Sequence, residues 1–399
     1  MTEISFSIYG DQPSPLEGSF LQEFQAQHRV QVHVSRMLWN DAWPKLLNFA
    51  VYGGGPDISQ IGAIWTSTLV SMNALRPFTS QEINGLGGTE SFFAPTWQST
   101  ILPGRSEVWG IPFTAFTYLL LYRRDLLQRA GIAEETAFES AEAIAETLQR
   151  LRAAGVKSPW VVPSGQPYRA RVHIAASWIW GAGGDFVSDD GRRILFDQPE
   201  ARVGIKAFFE LYRYLSPSDY NLTHDECLRR FASGDAAVTI TGSSLPSALK
   251  SWTVSQVVEN LGTAVVPGVP WVGGSNIVIW REAQVRPERE RAAVLLANFL
   301  ASQSTQIKYA AVSDSIPARS NALPHKFEPV SFSQTFEQAL RTGRSYKPTL
   351  IWVRLLNDLS RTFDMITADI LADPPLDVVH ALSERLDPLA RRFDLMLSS

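Results

Sequence analysis

Apolar and polar residues alternate from the first residues of the chain. Ile4, Phe6 and Ile8 are spaced by polar residues up to Gly10, which is the period of a half-buried β-strand. Leu16, Phe20 and Phe24 then fall four apart behind Pro13 and Pro15, the spacing of a helix with one apolar face. Val30, Val32 and Val34 restore the strand period. A βαβ opening is predicted, and open α/β sheets bind ligands beyond the carboxyl ends of their strands. Two loops are therefore candidates: 10–12, with Gln12, and 38–43, with Trp39, Asn40 and Asp41. The run Gly53-Gly54-Gly55-Pro56-Asp57 predicts a turn, and Ile58 opens a short buried strand with Gln60 and Trp65 at its carboxyl end. A helix is predicted over 65–75, and 79–107 reads as loop-rich and polar.

The stretch 108–132 carries the strongest signal. Trp109-Gly110-Ile111-Pro112 reads as extended, because proline fixes its own φ and biases the residue before it. The apolar run Phe116 to Tyr122 suits a strand covered on both faces, as in a parallel sheet. Leu126, Leu127 and Ala130 return at helical spacing before Gly131. The segment is either one more βα unit of an α/β enzyme or a strand crossing from one lobe to another. Further on, 140–154 is an amphipathic helix, and Trp160 to Pro163 a short strand followed by the loop Ser164 to Tyr168. Asp197 and Pro199 suggest a helix start, and Thr223 with Glu226 a capping box. Strands are expected at 237–240, 263–266 and 277–280, then mainly helices.

A chain of 399 residues exceeds one comfortable core and predicts two lobes. A net charge of −4 with acids and bases intermixed gives no basic footprint for nucleic acid. The single cysteine, Cys227, excludes an internal disulfide and a cysteine metal cluster. No histidine pair has the spacing of a zinc site. There is no Walker loop, and the runs Gly181 to Asp185 and Gly85 to Gly88 both lack the third glycine of a dinucleotide fingerprint. The G-x-S-x-G elbow is missing as well. A glycosidase-type pair of carboxylates stays open, although most acids sit at helix starts or on charged faces. Twelve tryptophans are many, and indole rings suit flat apolar ligand faces as well as cores. Trp160, Trp178, Trp180 and Trp252 are expected in the core, and Trp43 more in the core than at a ligand.

Four segments, taken in order, resemble bacterial extracellular solute-binding proteins of family 1, the group that includes maltose-binding proteins and feeds ABC importers. Gly55-Pro56-Asp57-Ile58 through Leu75-Arg76-Pro77-Phe78 is similar to one family segment. Ile111-Pro112 through Tyr122-Arg123-Arg124-Asp125-Leu126 and Ala130-Gly131-Ile132 resembles the family's hinge strand and the turn after it. Phe231-Ala232-Ser233-Gly234-Asp235-Ala236-Ala237-Val238 to Gly242 matches a third, and Gly273-Gly274 with Ile316-Pro317-Ala318-Arg319 the later crossings. One departure is Ser244, where many members carry a tryptophan. The resemblance implies an α/β protein of two Rossmann-like lobes, periplasmic-binding-protein-like and type II. The lobes would be 1–113 with 264–316, and 117–262 with 318–399, joined near 112–117, 261–270 and 313–319.

The same resemblance implies a carbohydrate binder, not an enzyme, that closes around its ligand without metal or cofactor. It would act as a monomer with ABC permease subunits as partners. Its location would be periplasmic or extracellular with the export signal removed, and cytoplasmic is the alternative. A carbohydrate-active hydrolase and a binder of a non-sugar solute, such as a polyamine, phosphorylated polyol or metal chelate, are the competing readings. Candidate ligand residues from the loops are Gln12, Trp39, Asn40, Asp41, Gln60, Trp65 and Asp185, with Trp65 equally able to pack under the next helix and Asp185 slightly more a turn residue. From the resemblance come Phe116, Gln166, Tyr168, Ser243, Ser244, Trp271, Gly273, Asn276, Arg319 and Trp352, with Arg319 also able to pair with a carboxylate.

Overall fold

The protein is described by a computed structural model covering residues 1–10, 13–242, 254–325, 330–373 and 376–397. Gln12, Ser243, Ser244 and Trp252 lie outside the described residues. The chain forms two compact units. The first comprises Met1–Phe116, Val272–Arg341 and Pro348–Trp352, and the second Thr117–Trp271, Thr342–Lys347 and Val353–Ser399.

In the first unit, β1 (Thr2–Tyr9), α1 (Ser19–His28) and β2 (Val30–Met37) form the predicted βαβ opening, with β1 and β2 parallel. The strands β3 (Ile58–Gly62), β4 (Leu75–Arg76), β5 (Ile111–Phe116), β10 (Gly273–Trp280) and β11 (Ile316–Pro317) complete its sheet. The order is β11-β5-β10-β3-β1-β2, with β4 on β10. Ile4, Phe6 and Ile8 face a core that includes Phe20, Phe24, Ile111, Phe113, Ile277 and the helix Pro287–Ala301. The opposite parity of β1 is polar and bonds toward β3: Ser5 Oγ donates to Asp57, and the hydroxyls of Ser7 and Ser59 lie 2.6 Å apart.

The second unit holds β6 (Leu119–Arg123), β7 (Trp160–Val161), β8 (Val238–Thr241) and β9 (Leu261–Val265) in the order β7-β8-β6-β9. Trp160, Trp178 and Trp180 are buried there, as expected. The capping box at Thr223 and Glu226 is formed. Helices Ala170–Gly181 and Pro199–Glu210 cross where a Cβ on Gly204 would meet the Trp178 carbonyl oxygen at 2.4 Å, so only glycine permits this approach.

Several expectations change. β5 is buried up to Ala115 and β6 along its length, but all of their partners are antiparallel. Two-sided burial reports what covers a sheet, not the direction of its strands. The segment 38–43 is no loop: Trp39 is the first residue of α2 (Trp39–Tyr52), which carries Pro44 inside it at the cost of the bond its N–H would make to the Asn40 carbonyl. Residues 63–65 form a 3-10 turn ahead of the helix Thr66–Ser71, and 79–107 contains the short helices Ser80–Asn84 and Ala94–Gln98. Asp197 does not cap: Gln198 holds that place and makes no side-chain cap bond. Ile316–Pro317 pairs with β5, so the crossing expected near 313–319 lies inside the first unit.

Candidate functional site

The parallel strands β1, β2 and β3 end together, and aromatic rings collect at their carboxyl ends. Tyr9 closes β1, Trp39 follows β2, and Trp65 follows β3. Trp39 stacks on Trp65 with ring centroids 4.9 Å apart and planes at 25°. Tyr9 meets both indoles edge-on, at 4.9 and 5.9 Å. Trp43, one helical turn beyond Trp39, lies 5.7 Å from Trp65 at 31°. The array is graded in exposure: Trp65 is buried, Trp43 half-buried, and Trp39 is 47% exposed. Gly62 donates its backbone N–H to the Tyr9 hydroxyl at 2.7 Å, fixing the phenol against the end of β3. Desolvation by its neighbours pushes the Tyr9 pKa well above its ordinary value, with the Gly62 bond opposing, so the phenol stays neutral. Trp39 thus offers one broad apolar face to solvent on a braced aromatic base. Asn40 and Asp41 beside it are exposed polar groups.

A polar row runs beside this end. The Gln60 side-chain amide donates to Ser275 Oγ at 2.9 Å, and Ser275 Oγ lies 2.6 Å from Thr114 Oγ1. These residues sit on β3, β10 and β5, so Gln60 lies within a strand, not beyond one. Gly273 pairs with Phe116, which is half-buried at the end of β5. Asn276 is 1% exposed, and its amide donates to Thr66 Oγ1 and Ser99 Oγ, both at 3.1 Å. The ligand role expected for Asn276 is thereby replaced by cross-linking inside the unit, since a buried amide must find its partners there. Arg319 is corrected likewise. It is 5% exposed, donates to the carbonyls of Ala301 and Leu86, and lies over the Phe92 ring rather than meeting a carboxylate. Trp352, at the start of the helix Trp352–Ala372, is 2% exposed. A surface cavity of about 760 Å³ in this unit lies around the amino-terminal half of β1, lined in part by Glu3, His33 and Arg289, and holds none of these residues.

The second unit has an aromatic group of its own. Trp271 stacks on His173 at 4.1 Å and 15°, and His173 Nδ1 lies 2.7 Å from the Tyr346 hydroxyl. Tyr118 adds a tilted ring 5.9 Å from Trp271. Thr117 Oγ1 donates to the Trp271 carbonyl, and the Trp271 N–H donates to Ser177 Oγ. Desolvation pushes the His173 pKa down to about 3, so the ring is neutral near pH 7. Asp185 accepts from Trp180 Nε1 and the Phe186 N–H and pairs with both Arg344 and Lys347. Burial would raise its carboxyl, but Lys347 and Arg344 outweigh it and hold the pKa below the ordinary value. Asp185 is a local anchor with its acceptors in use. In the loop before Ala170–Gly181, Gln166 is exposed and Tyr168 half-buried.

Sequence reasoning missed Tyr9, His173 and Tyr346. For Tyr9 a signal existed: it shares parity with Ser5 and Ser7 and stands at the strand end. His173 and Tyr346 are distant in sequence and meet only in the fold. Among the described residues no group of His, Cys, Asp and Glu is placed to hold a metal ion. Cys227 is buried, and burial pushes its thiol pKa far up. No helix of the described residues is long and apolar enough to cross a membrane.

A model of the bacterial extracellular solute-binding protein family matches residues 19–334. The chain belongs to that family. Its fold is the mixed α/β, type II periplasmic binding fold. The sugar-binding protein MalE of Xanthomonas citri superposes with a TM-score of 0.81 at 19% identity, covering 100% of this chain and 98% of that one. Maltose-bound MalE3 of T. maritima does so at 0.75 and 19%, covering 98% and 100%. Among curated proteins, the sn-glycerol-3-phosphate-binding periplasmic protein of Salmonella paratyphi A is 27% identical over 199 residues, 48% of this chain. The chain spans less than half, 44%, of the length of that relative. The family's members are solute-binding proteins rather than enzymes.

Proposed function

We propose that this protein is the solute receptor of an ABC importer and that its solute is a carbohydrate. The observation that carries the reading is the Tyr9–Trp39–Trp65 platform at the carboxyl ends of three adjacent strands, in a chain of this family. A pyranose ring has a face of C–H groups that fits an indole, and hydroxyls at its edge that need fixed partners. The exposed Trp39 supplies the first. Asn40, Asp41, Gln166 and Tyr168 are the polar groups we assign to the second, with Trp271, Gly273 and Phe116 near the unit boundaries. Solute binding would favour a closed conformation, which ABC permease subunits would read. Action outside the cytoplasm, as a monomer and without chemical change to the solute, completes the proposal.

The curated relatives named for sn-glycerol-3-phosphate favour a second reading, a phosphorylated polyol. A thermal-shift panel separates the two. A ligand that binds only the folded state adds about 2.7 kcal/mol of stability at a hundredfold excess over its Kd. A neutral mono- or oligosaccharide is expected to raise Tm and to be recovered unchanged. A shift with sn-glycerol-3-phosphate alone establishes the second reading. A shift only with amino acids, polyamines or metal ions overturns both, and hydrolysed sugar restores the enzyme reading.

A further inference from the structure

The loop 163–169 of the second unit is organised by an ion pair. Arg171 is fully buried on the helix Ala170–Gly181, and Asp364 is 5% exposed on the helix Trp352–Ala372. Their side chains are in direct contact. A buried ion pair is a poor source of stability, because desolvating both charges offsets their attraction. Here most of the remaining bonding of both residues goes to the loop, with one Arg171 bond to Tyr212. The Arg171 guanidinium donates from Nη2 to the carbonyls of Pro163 and Gly165, at 3.2 and 3.4 Å, and from Nε to the Tyr212 hydroxyl. The Asp364 carboxylate accepts the Tyr168 N–H at 3.4 Å, and the Asp364 backbone carbonyl accepts Gln166 Nε2 at 2.7 Å. The Tyr168 ring lies 5.6 Å from the guanidinium. A loop without regular structure thus has its backbone groups tied at three points to one pair of charges. Between those points it presents Gln166 and Tyr168.

We infer that Arg171 and Asp364 are positioning residues for the Gln166–Tyr168 loop. They set the height and angle at which these side chains meet the solute and touch no solute themselves. This rests on the reading that the loop faces the solute. A pair retained for stability alone would be replaceable by apolar residues of similar volume without consequence for the loop.

The test uses the full chain with Arg171→Met, Asp364→Leu and the double variant. Tm, amide exchange of the peptide covering 164–169, and maltose affinity are measured on each. Either single variant leaves one charge buried alone and is expected to lower Tm. The double variant removes both charges and is expected to recover Tm. Its loop is not rescued: exchange at 164–169 stays about tenfold or more faster than in the wild type, and the Kd for maltose stays about tenfold higher. Loop exchange that returns to the wild-type rate together with Tm overturns the inference. A wild-type protein that leaves maltose unbound counts against the ligand class only, and the exchange rates still decide the positioning role. If the single variants fail to fold, the double variant carries the comparison by itself. Exchange faster than wild type but a Kd for maltose equal to it overturns the role in solute binding.

Discussion

At the residue scale, the two indoles of the platform differ in exposure, and that difference separates binding from folding. Trp39 exposes nearly half its surface while Trp65 beneath it is 4% exposed. Removing an exposed ring loses ligand contact with little packing, whereas truncating a buried tryptophan costs about 3–5 kcal/mol. Trp39→Ala is therefore expected to weaken carbohydrate binding by about 1 kcal/mol or more and to leave the unfolding midpoint almost unchanged. Trp65→Ala should lower the midpoint clearly. Titration calorimetry beside urea denaturation distinguishes them, and a Trp39→Ala variant of native affinity would remove the platform from the site. Residue identity in the sequence marked Trp39 and Trp65 but could not rank their exposure. The same limit applies to Asn276 and Arg319. Their side chains suit a ligand as well as they suit an interior, and only the positions of Thr66, Ser99, Ala301 and Leu86 show which of their donors are already taken.

Elements were more legible than residues, because periodicity is local and partners are not. The alternation in β1 and β2, the proline-marked β5 and the capping box at Thr223 all read correctly from a few adjacent residues. Strand direction did not, since β5 and β6 are covered on both faces whatever direction their neighbours take. The helical start of α2 was hidden by Pro44, which lies inside the helix and removes one of its backbone bonds. The glycine pair at 273–274 was read as hinge-like, but β10 incorporates both residues. Gly274 has φ of +146°, and a Cβ there would lie 2.0 Å from the Thr114 carbonyl oxygen. That contact belongs to β5, so the clash cannot be relieved by a rotamer change. Gly274→Ala is expected to destabilise the first unit by about 2–4 kcal/mol through separation of β5 from β10. Denaturant unfolding checks this, and a loss below about 0.5 kcal/mol would mean that the strands accommodate the methyl group without strain.

At the scale of the whole molecule, the chain changes units at Phe116–Thr117 and Trp271–Val272 and again at three places from 341 to 353. Both of the earlier passages leave or enter strands β5 and β10, which are rigidly paired with each other inside the first unit. On the other side, Thr117 donates to the Trp271 carbonyl, so the two passages are tied together where they enter the second unit. Any relative motion of the two sheets would have to be taken up by backbone torsions at 116–117, 271–272 and the three later passages. A carbohydrate that prefers a closed form would shift the population toward it, by no more than that preference. Small-angle scattering with and without saturating ligand is expected to show a smaller radius of gyration in the bound protein. The double variant Trp39→Ala/Tyr168→Ala should stay expanded at the same ligand concentration. A ligand that binds the wild-type protein with unchanged scattering, when the free protein is open, would sink the closure mechanism. Binding would then rest on a single unit, and the platform at the ends of β1 to β3 would have to account for the affinity alone.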